Sequence, residues 1–251
     1  MERGSLHERR ERLSALVPKI APVTFARDRV LPVDPALEPL LPEAGLIRGS
    51  IVGCQGPTAL SAALALVSAA SAAGSWLAVA GISSLGLRAA SEVGIALDRL
   101  VMVADPARDA GEGAWTNVLS ALIDGFDLVV LRADVRASTA RRLQARLQTR
   151  GAVLLVVGDP GPFSCDLVVT AGPGTWEGLG HGSGRLVQRR LTLSASGRRL
   201  PRERRIDVWL PGPDGGVAPV LETVAGQLGE QAVEHRSEHA TEHVSAFRRT
   251  G

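Results

Sequence analysis

The residues whose types and spacing suggest chemistry lie in one stretch, Ile51-Val52-Gly53-Cys54-Gln55-Gly56-Pro57-Thr58-Ala59-Leu60-Ser61-Ala62-Ala63. It reads as an apolar strand, a turn opened by Gly56, and a helix. That is the layout of a phosphate-binding loop, which needs G-x-x-x-x-G-K-[ST]. The glycines let backbone N–H groups close on phosphates, the lysine reaches the β- and γ-phosphates, and the hydroxyl holds Mg²⁺. Counted from Gly56, the second glycine falls on Ser61, the lysine on Ala62 and the hydroxyl on Ala63. The spacing predicts a surviving frame without its chemistry. Thr58 and Ser61 keep hydroxyls able to touch a phosphate, and N–H groups at a helix start favour anions.

Other chemistry-bearing groups are fewer. Arg141, Arg142, Arg146 and Arg150 share part of one helix surface, and Arg198, Arg199, Arg202, Arg204 and Arg205 crowd one hairpin. Arginines so placed can contact nucleic-acid phosphates without reading sequence. The alternative is a solvated face balanced elsewhere by acids, and the net charge of only +2 fits that. Glu234-His235, Glu238-His239 and Glu242-His243 put three histidines at a four-residue spacing, which a helix would bring to one face for a metal. A solvated low-complexity tail is the favoured reading, so no metal site is expected. No G-x-S-x-G elbow follows a strand, so a Ser–His–Asp hydrolase fails.

The elements that must position these groups follow from periodicity. Over 251 residues the chain fits one large α/β domain with tails. Residues 1–17 read as an N-terminal amphipathic helix with an apolar stripe of Leu6, Leu13, Leu16 and Val17, ended by Pro18. Residues 18–48, with six prolines from Pro18 to Pro42, read as an extended connector. Residues 49–211 form the core. Strands are expected at Ser50–Gln55, Trp76–Gly81, Leu100–Ala104, Asp127–Leu131, Ala152–Val157 and Asp166–Ala171. Helices are expected at Leu60–Ala73, Leu87–Ala96, Gly113–Ile123 and Ser138–Arg150. Short continuous runs of Val, Leu and Ala are what a parallel sheet buried on both faces requires. Two further strands, Arg185–Ser194 and Arg205–Leu210, predict an antiparallel C-terminal extension. Residues 212–251 read as a flexible tail in which Val220, Leu221, Val224 and Leu228 can form one helical face.

Composition narrows the class. Lys19 is the lone lysine, which GC-rich coding explains better than phosphate recognition. Cys54 and Cys165 are too few for a disulfide framework and fit reduced, buried thiols in a cytoplasmic protein. The charged start of the chain has no apolar signal core behind it. The longest apolar stretch is broken by Ser68, Ser71, Gly74 and Ser75, which argues against a membrane span.

The order of these elements resembles the core of RecA-type ATPases over about residues 30–210. Gly49-Ser50-Ile51-Val52-Gly53-Cys54-Gln55-Gly56-Pro57 resembles that family's entry to its P-loop. Gly94-Ile95-Ala96-Leu97-Asp98-Arg99-Leu100 resembles its lead into the third strand, and Gly125-Phe126-Asp127-Leu128-Val129-Val130-Leu131 its Walker B strand. The resemblance implies a RecA-like, P-loop NTPase-type fold, a largely parallel sheet flanked by helices. It places the Walker B acid at Arg132, the catalytic glutamate at Ser83 and the γ-phosphate sensor at Asp159, none of which carries the required chemistry. The loops that follow the fourth and fifth strands are short, which leaves no room for a recombinase's DNA-pairing surface.

An Arg-rich RecA-like chain with a dead P-loop is similar to the ImuA-type proteins, specifically the actinobacterial ImuA-prime branch, to which the SulA division inhibitors are distantly related. The resemblance implies a non-catalytic accessory factor of an SOS-induced translesion-synthesis mutasome, cytoplasmic and nucleoid-associated, without cofactor or ATPase activity. Its implied partners are an ImuB-type polymerase homologue and an error-prone C-family DNA polymerase, with RecA a third candidate and DNA contacted weakly or indirectly. The partner-binding candidates are Leu6, Leu13, Leu16, Val17, Val220, Leu221, Val224 and Leu228, since apolar positions on polar segments serve helix-in-groove binding. The alternatives are a SulA-like division inhibitor and a RecA paralogue that binds DNA or nucleotide weakly.

Overall fold

The computed structural model describes residues 29–105, 113–179 and 184–220. The chain divides into two units, residues 1–218 and 219–251. Of the second, only Pro219 and Val220 are described. Leu6, Leu13, Leu16, Val17, Leu221, Val224, Leu228 and the histidine-bearing segment lie outside the described residues.

Six strands of the first unit run parallel. They are β3 (Ile51–Gln55), β4 (Leu77–Ala80), β5 (Leu100–Val103), β6 (Leu128–Leu131), β7 (Val153–Val157) and β8 (Leu167–Ala171). Their spatial order is β5-β4-β6-β7-β3-β8, so the strand that leads into the Gly56 turn sits near the middle of the sheet. All residues of β4, β6 and β7 are buried, as uninterrupted apolar runs demand. Alternate residues serve opposite faces. Val153, Leu155 and Val157 join one core with helix α1 (Ala59–Ala72) and Ala90 of α2 (Leu87–Glu92). Leu154 and Val156 join a second core with α3 (Ala114–Gly125) and α4 (Ala137–Arg150). Helix α1 is apolar on nearly every side, as a helix pressed between layers must be. Asp124 of α3 accepts hydrogen bonds from Arg146 and Arg150 of α4, and the Arg146 bond is the main cause holding its carboxyl down at about 2.

Beyond β8 the sheet reverses. Strand β10 (Gly184–Gly197) pairs antiparallel with β8, β11 (Arg204–Trp209) and β9 (Thr175–Leu179). The antiparallel extension is therefore present, but β9 was not expected, because glycines at 172, 174, 178 and 180 mask its alternation. Leu191, Leu193 and Ala195 of β10 are buried while Leu186 and Val187 are exposed. Gly184 and Gln188–Arg190 pair with β9, Arg190–Ala195 with β11 and Leu193–Gly197 with β8.

The proline-rich connector also differs from expectation. Strands β1 (Val30–Pro32) and β2 (Gly45–Ile47) pair, and Leu31, Leu37, Leu40, Leu41 and Leu46 are buried in the first core. Prolines end strands and turns here, but the leucines between them have an apolar sheet face to cover, and burial outweighs extension. Residues 30–47 thus belong to the core. No helix among the described residues is long and apolar enough to cross a membrane.

Candidate functional site

In open α/β sheets ligands bind at the carboxyl ends of the strands, and the Gly56 turn leaves β3 at that edge. Only Gly56, Pro57 and Thr58 separate β3 from α1. Gly56 adopts φ +93°, and a Cβ there would stand 2.2 Å from the Ala171 carbonyl oxygen. Only glycine meets both conditions. Thr58 is buried, and its hydroxyl donates to the Gly172 carbonyl at 2.8 Å. The turn is thereby stitched to the end of β8.

This corrects the surviving frame. A loop of motif length would hold five residues after Gly56 before helix begins. Here the helix already runs from Ala59, and the Ala62 N–H bonds the Thr58 carbonyl at 3.1 Å. Ala62 and Ala63 are 1% and 0% exposed, so the lysine and Mg²⁺-hydroxyl positions face the apolar core. The cause is local. Ala-Leu-Ser-Ala-Ala holds no second glycine and favours helix, so the helix extends back to Thr58.

Ser61 points elsewhere and is already engaged. Its Oγ accepts from Arg189 Nη2 of β10 at 3.1 Å, and Arg189 Nε donates to the Leu210 carbonyl at 2.9 Å. The guanidinium lies 5.1 Å from the centre of the Trp176 ring, a cation–π distance. Burial pushes its pKa down. Thr58 thus has its hydroxyl proton committed to Gly172, while Ser61 accepts from Arg189.

Ser83, Arg132 and Asp159 follow β4, β6 and β7, so topology brings all three to the same edge of the sheet, and all are exposed. The Asp159 carboxylate accepts the N–H of Gly161 at 2.9 Å, closing its own turn. The Arg132 N–H bonds the Ala80 carbonyl at 3.0 Å, and its own carbonyl packs on Gly81. Of the positions at this edge, Ser83 and Arg132 carry no carboxylate, and Asp159 is engaged in its own turn. Burial pushes the Cys54 thiol up to about 12 and, with the Asp166 charge, Cys165 up to about 11, so neither is a nucleophile at neutral pH. Among the described residues no three His, Cys, Asp or Glu are grouped to hold a metal.

The arginine hairpin is largely committed to the fold. Arg198 pairs with Asp166 at 2.9 Å and Arg199 with Glu43 at 3.6 Å. Arg204 donates to the Pro39 and Leu41 carbonyls, tying β11 to the 38–41 turn. Arg202 and Arg205 are exposed and make no hydrogen bond or ion pair among the described residues. On the helix surface, Arg141 bonds the Ala137 carbonyl, and Arg146 and Arg150 bond Asp124. Arg142, like Arg202 and Arg205, makes no hydrogen bond or ion pair among the described residues. Arg204→Ala should cost about 1–3 kcal/mol, while Arg202→Ala should stay within about 0.5 kcal/mol of the parent. Urea unfolding of the two variants measures both.

Sequence reasoning did not single out Arg189 and Trp176. The available signal was the run Thr175-Trp176-Glu177 with the strand after it, a hairpin that would set Trp176 opposite Arg189.

Residues 39–162, from the 38–41 turn to the loop after β7, match the model of a family described as the MT3502 N-terminal domain. The chain is similar to the uncharacterized protein Rv3395c of Mycobacterium tuberculosis, with 42% identity over 101 residues, 39% of this chain and 47% of the relative. The chain thus spans about half the length of the curated relative it matches.

Proposed function

We propose that this chain is a catalytically inert RecA-like adaptor in DNA-damage tolerance, an accessory factor of a translesion-synthesis mutasome acting at the nucleoid. It works through protein contacts with an ImuB-type polymerase homologue and an error-prone C-family polymerase. The observation that carries the inert part is the closed Gly56 turn, with Ala62 and Ala63 inside the core and Thr58 and Ser61 held by Gly172 and Arg189. The RecA-like part draws support from the sheet. The first core strand lies between the fifth and sixth, and the reversed strand follows the sixth. The mycobacterial relative is compatible with an actinobacterial class.

Two measurements test the reading. Saturating Mg-ATP should leave the melting temperature unchanged, because a ligand that does not bind the native state cannot stabilise it. An ATP-dependent rise accompanied by phosphate release would overturn the inert assignment. Co-expression of the tagged chain with the ImuB-type homologue of the same organism should yield a complex on affinity capture. Capture of a division protein in its place would favour the SulA-like alternative.

A further inference from the structure

Two cavities adjoin beside Arg189. The inner one, about 130 Å³, lies between Ser61, Leu64, Val93 and Arg189. The outer one, about 460 Å³, runs along Trp176, Leu186, Val187 and Pro213. Glu92, Pro211 and Gly215 line both, so they form one continuous groove. Its walls are set before anything binds. The backbone of Arg189 exchanges hydrogen bonds with Leu210 and Pro211 at 2.8 and 2.9 Å, and the 212–216 turn closes on itself through Gly212 and Gly215.

Three features say what fits. Trp176, Leu186 and Val187 are 43%, 48% and 42% exposed on one hairpin, a concentration of apolar surface that a rigid strand pair does not otherwise need. Arg189 is partly withdrawn from water, yet it bonds only a carbonyl and a hydroxyl, and no carboxylate among the described residues pairs with it. A cation in that state gains most from a carboxylate, which its planar fork can meet with two bonds. Glu92, the acid that lines both cavities, is bonded to Arg88 at 2.8 Å. Finally, the inner cavity, about 130 Å³, suits a single side chain, and the outer one, about 460 Å³, gives room for the backbone that carries it. The outer cavity carries Arg185 beside Glu92 and Asp214, so its rim is of mixed charge, and single-stranded DNA is a competitor in the test below.

We propose that this groove docks an extended segment of a partner protein, with one Asp or Glu side chain entering the inner cavity to pair with Arg189 and apolar neighbours lying on Trp176, Leu186 and Val187. The inference rests on the adaptor reading and gives it a surface and a partner chemistry.

The test is selection of a phage-displayed random dodecapeptide library on the full chain, followed by fluorescence anisotropy with the selected peptides. Recovered peptides should carry an acidic residue beside apolar ones. Arg189→Gln should weaken them at least about tenfold, as should changing the peptide's acid to its amide, and the two changes together should cost no more than either alone. Trp176→Ala should weaken them comparably, and the melting temperatures of both variants, measured alongside, distinguish loss of binding from a folding defect. Recovered peptides without acids, or acidic peptides held equally by both variants, would overturn the groove proposal. So would Mg-ATP or single-stranded DNA displacing the peptides. Capture of the ImuB-type homologue by the Trp176→Ala and Arg189→Gln variants separates the two levels. Full capture with lost peptide binding sinks the groove as the partner contact and leaves the adaptor reading standing. Intact peptide binding without any polymerase partner does the reverse.

Discussion

Ala62→Lys should strongly destabilise the protein and should not give it a nucleotide site. The substitution restores the residue that a phosphate-binding loop uses, at the position where the motif spacing puts it. In the folded chain that position is 1% exposed and surrounded by Ala59, Leu66 and the strands of the first core. A fully buried lysine loses about 3–5 pH units of pKa, and each unit is about 1.36 kcal/mol. At neutral pH the cost is capped by neutralising the amine from its ordinary pKa of about 10.4, so it is about 4–5 kcal/mol, before any strain from the added methylenes. In a domain of this size each kcal/mol moves the melting temperature by about 2–4 °C, so a fall of about 10 °C or more is expected by circular dichroism. Mg-ATP should not reverse it. An Ala62→Lys protein that melts near the parent temperature and gains stability with Mg-ATP would mean that the turn opens into a working cradle.

The second large effect concerns the turn itself. Gly56→Ala should destabilise by about 2–5 kcal/mol. Positive φ costs a non-glycine residue about 1–2 kcal/mol, and overpacking against the Ala171 carbonyl adds about 1–3 kcal/mol. That carbonyl belongs to backbone, so it cannot swing away as a side-chain end would. Gly125→Ala is the matched control. Gly125 closes α3, is exposed, and a Cβ there meets nothing within 4 Å. Alanine at that site should be neutral or stabilise by up to about 1 kcal/mol through helix propensity. Chemical denaturation of the pair separates them clearly. Equal destabilisation at both positions would mean that the close approach of β3 and β8 is not what demands glycine at 56.

Much of the fold was legible because its signals are local. Apolar runs bounded by polar turns mark β3, β4, β6, β7 and β8 to within a residue, and the helix expected at Leu60–Ala73 is found at Ala59–Ala72. Where the signal was diluted, reading failed. Glycines hid β9, and prolines made residues 30–47 look like connector although their leucines fill the core. The site was legible only as a loss. The absence of lysine and acids at 62 and 132 is plain in the residue types. That the turn is closed as well depends on Thr58 reaching Gly172, 114 residues on, and on Gly56 lying against Ala171.

The sequence by itself determined the strand and helix alternation, the reversal after β8 and the missing phosphate chemistry, since each is written in residue type and short-range period. Only the tertiary structure decided the rest. Arg189 meets Ser61 across 128 residues and Trp176 across a hairpin, and three of five arginines on another hairpin bond partners from 39 to 166. Such pairings depend on which strands become neighbours in the sheet, and neighbourhood is set by burial of the whole core, which no local pattern encodes.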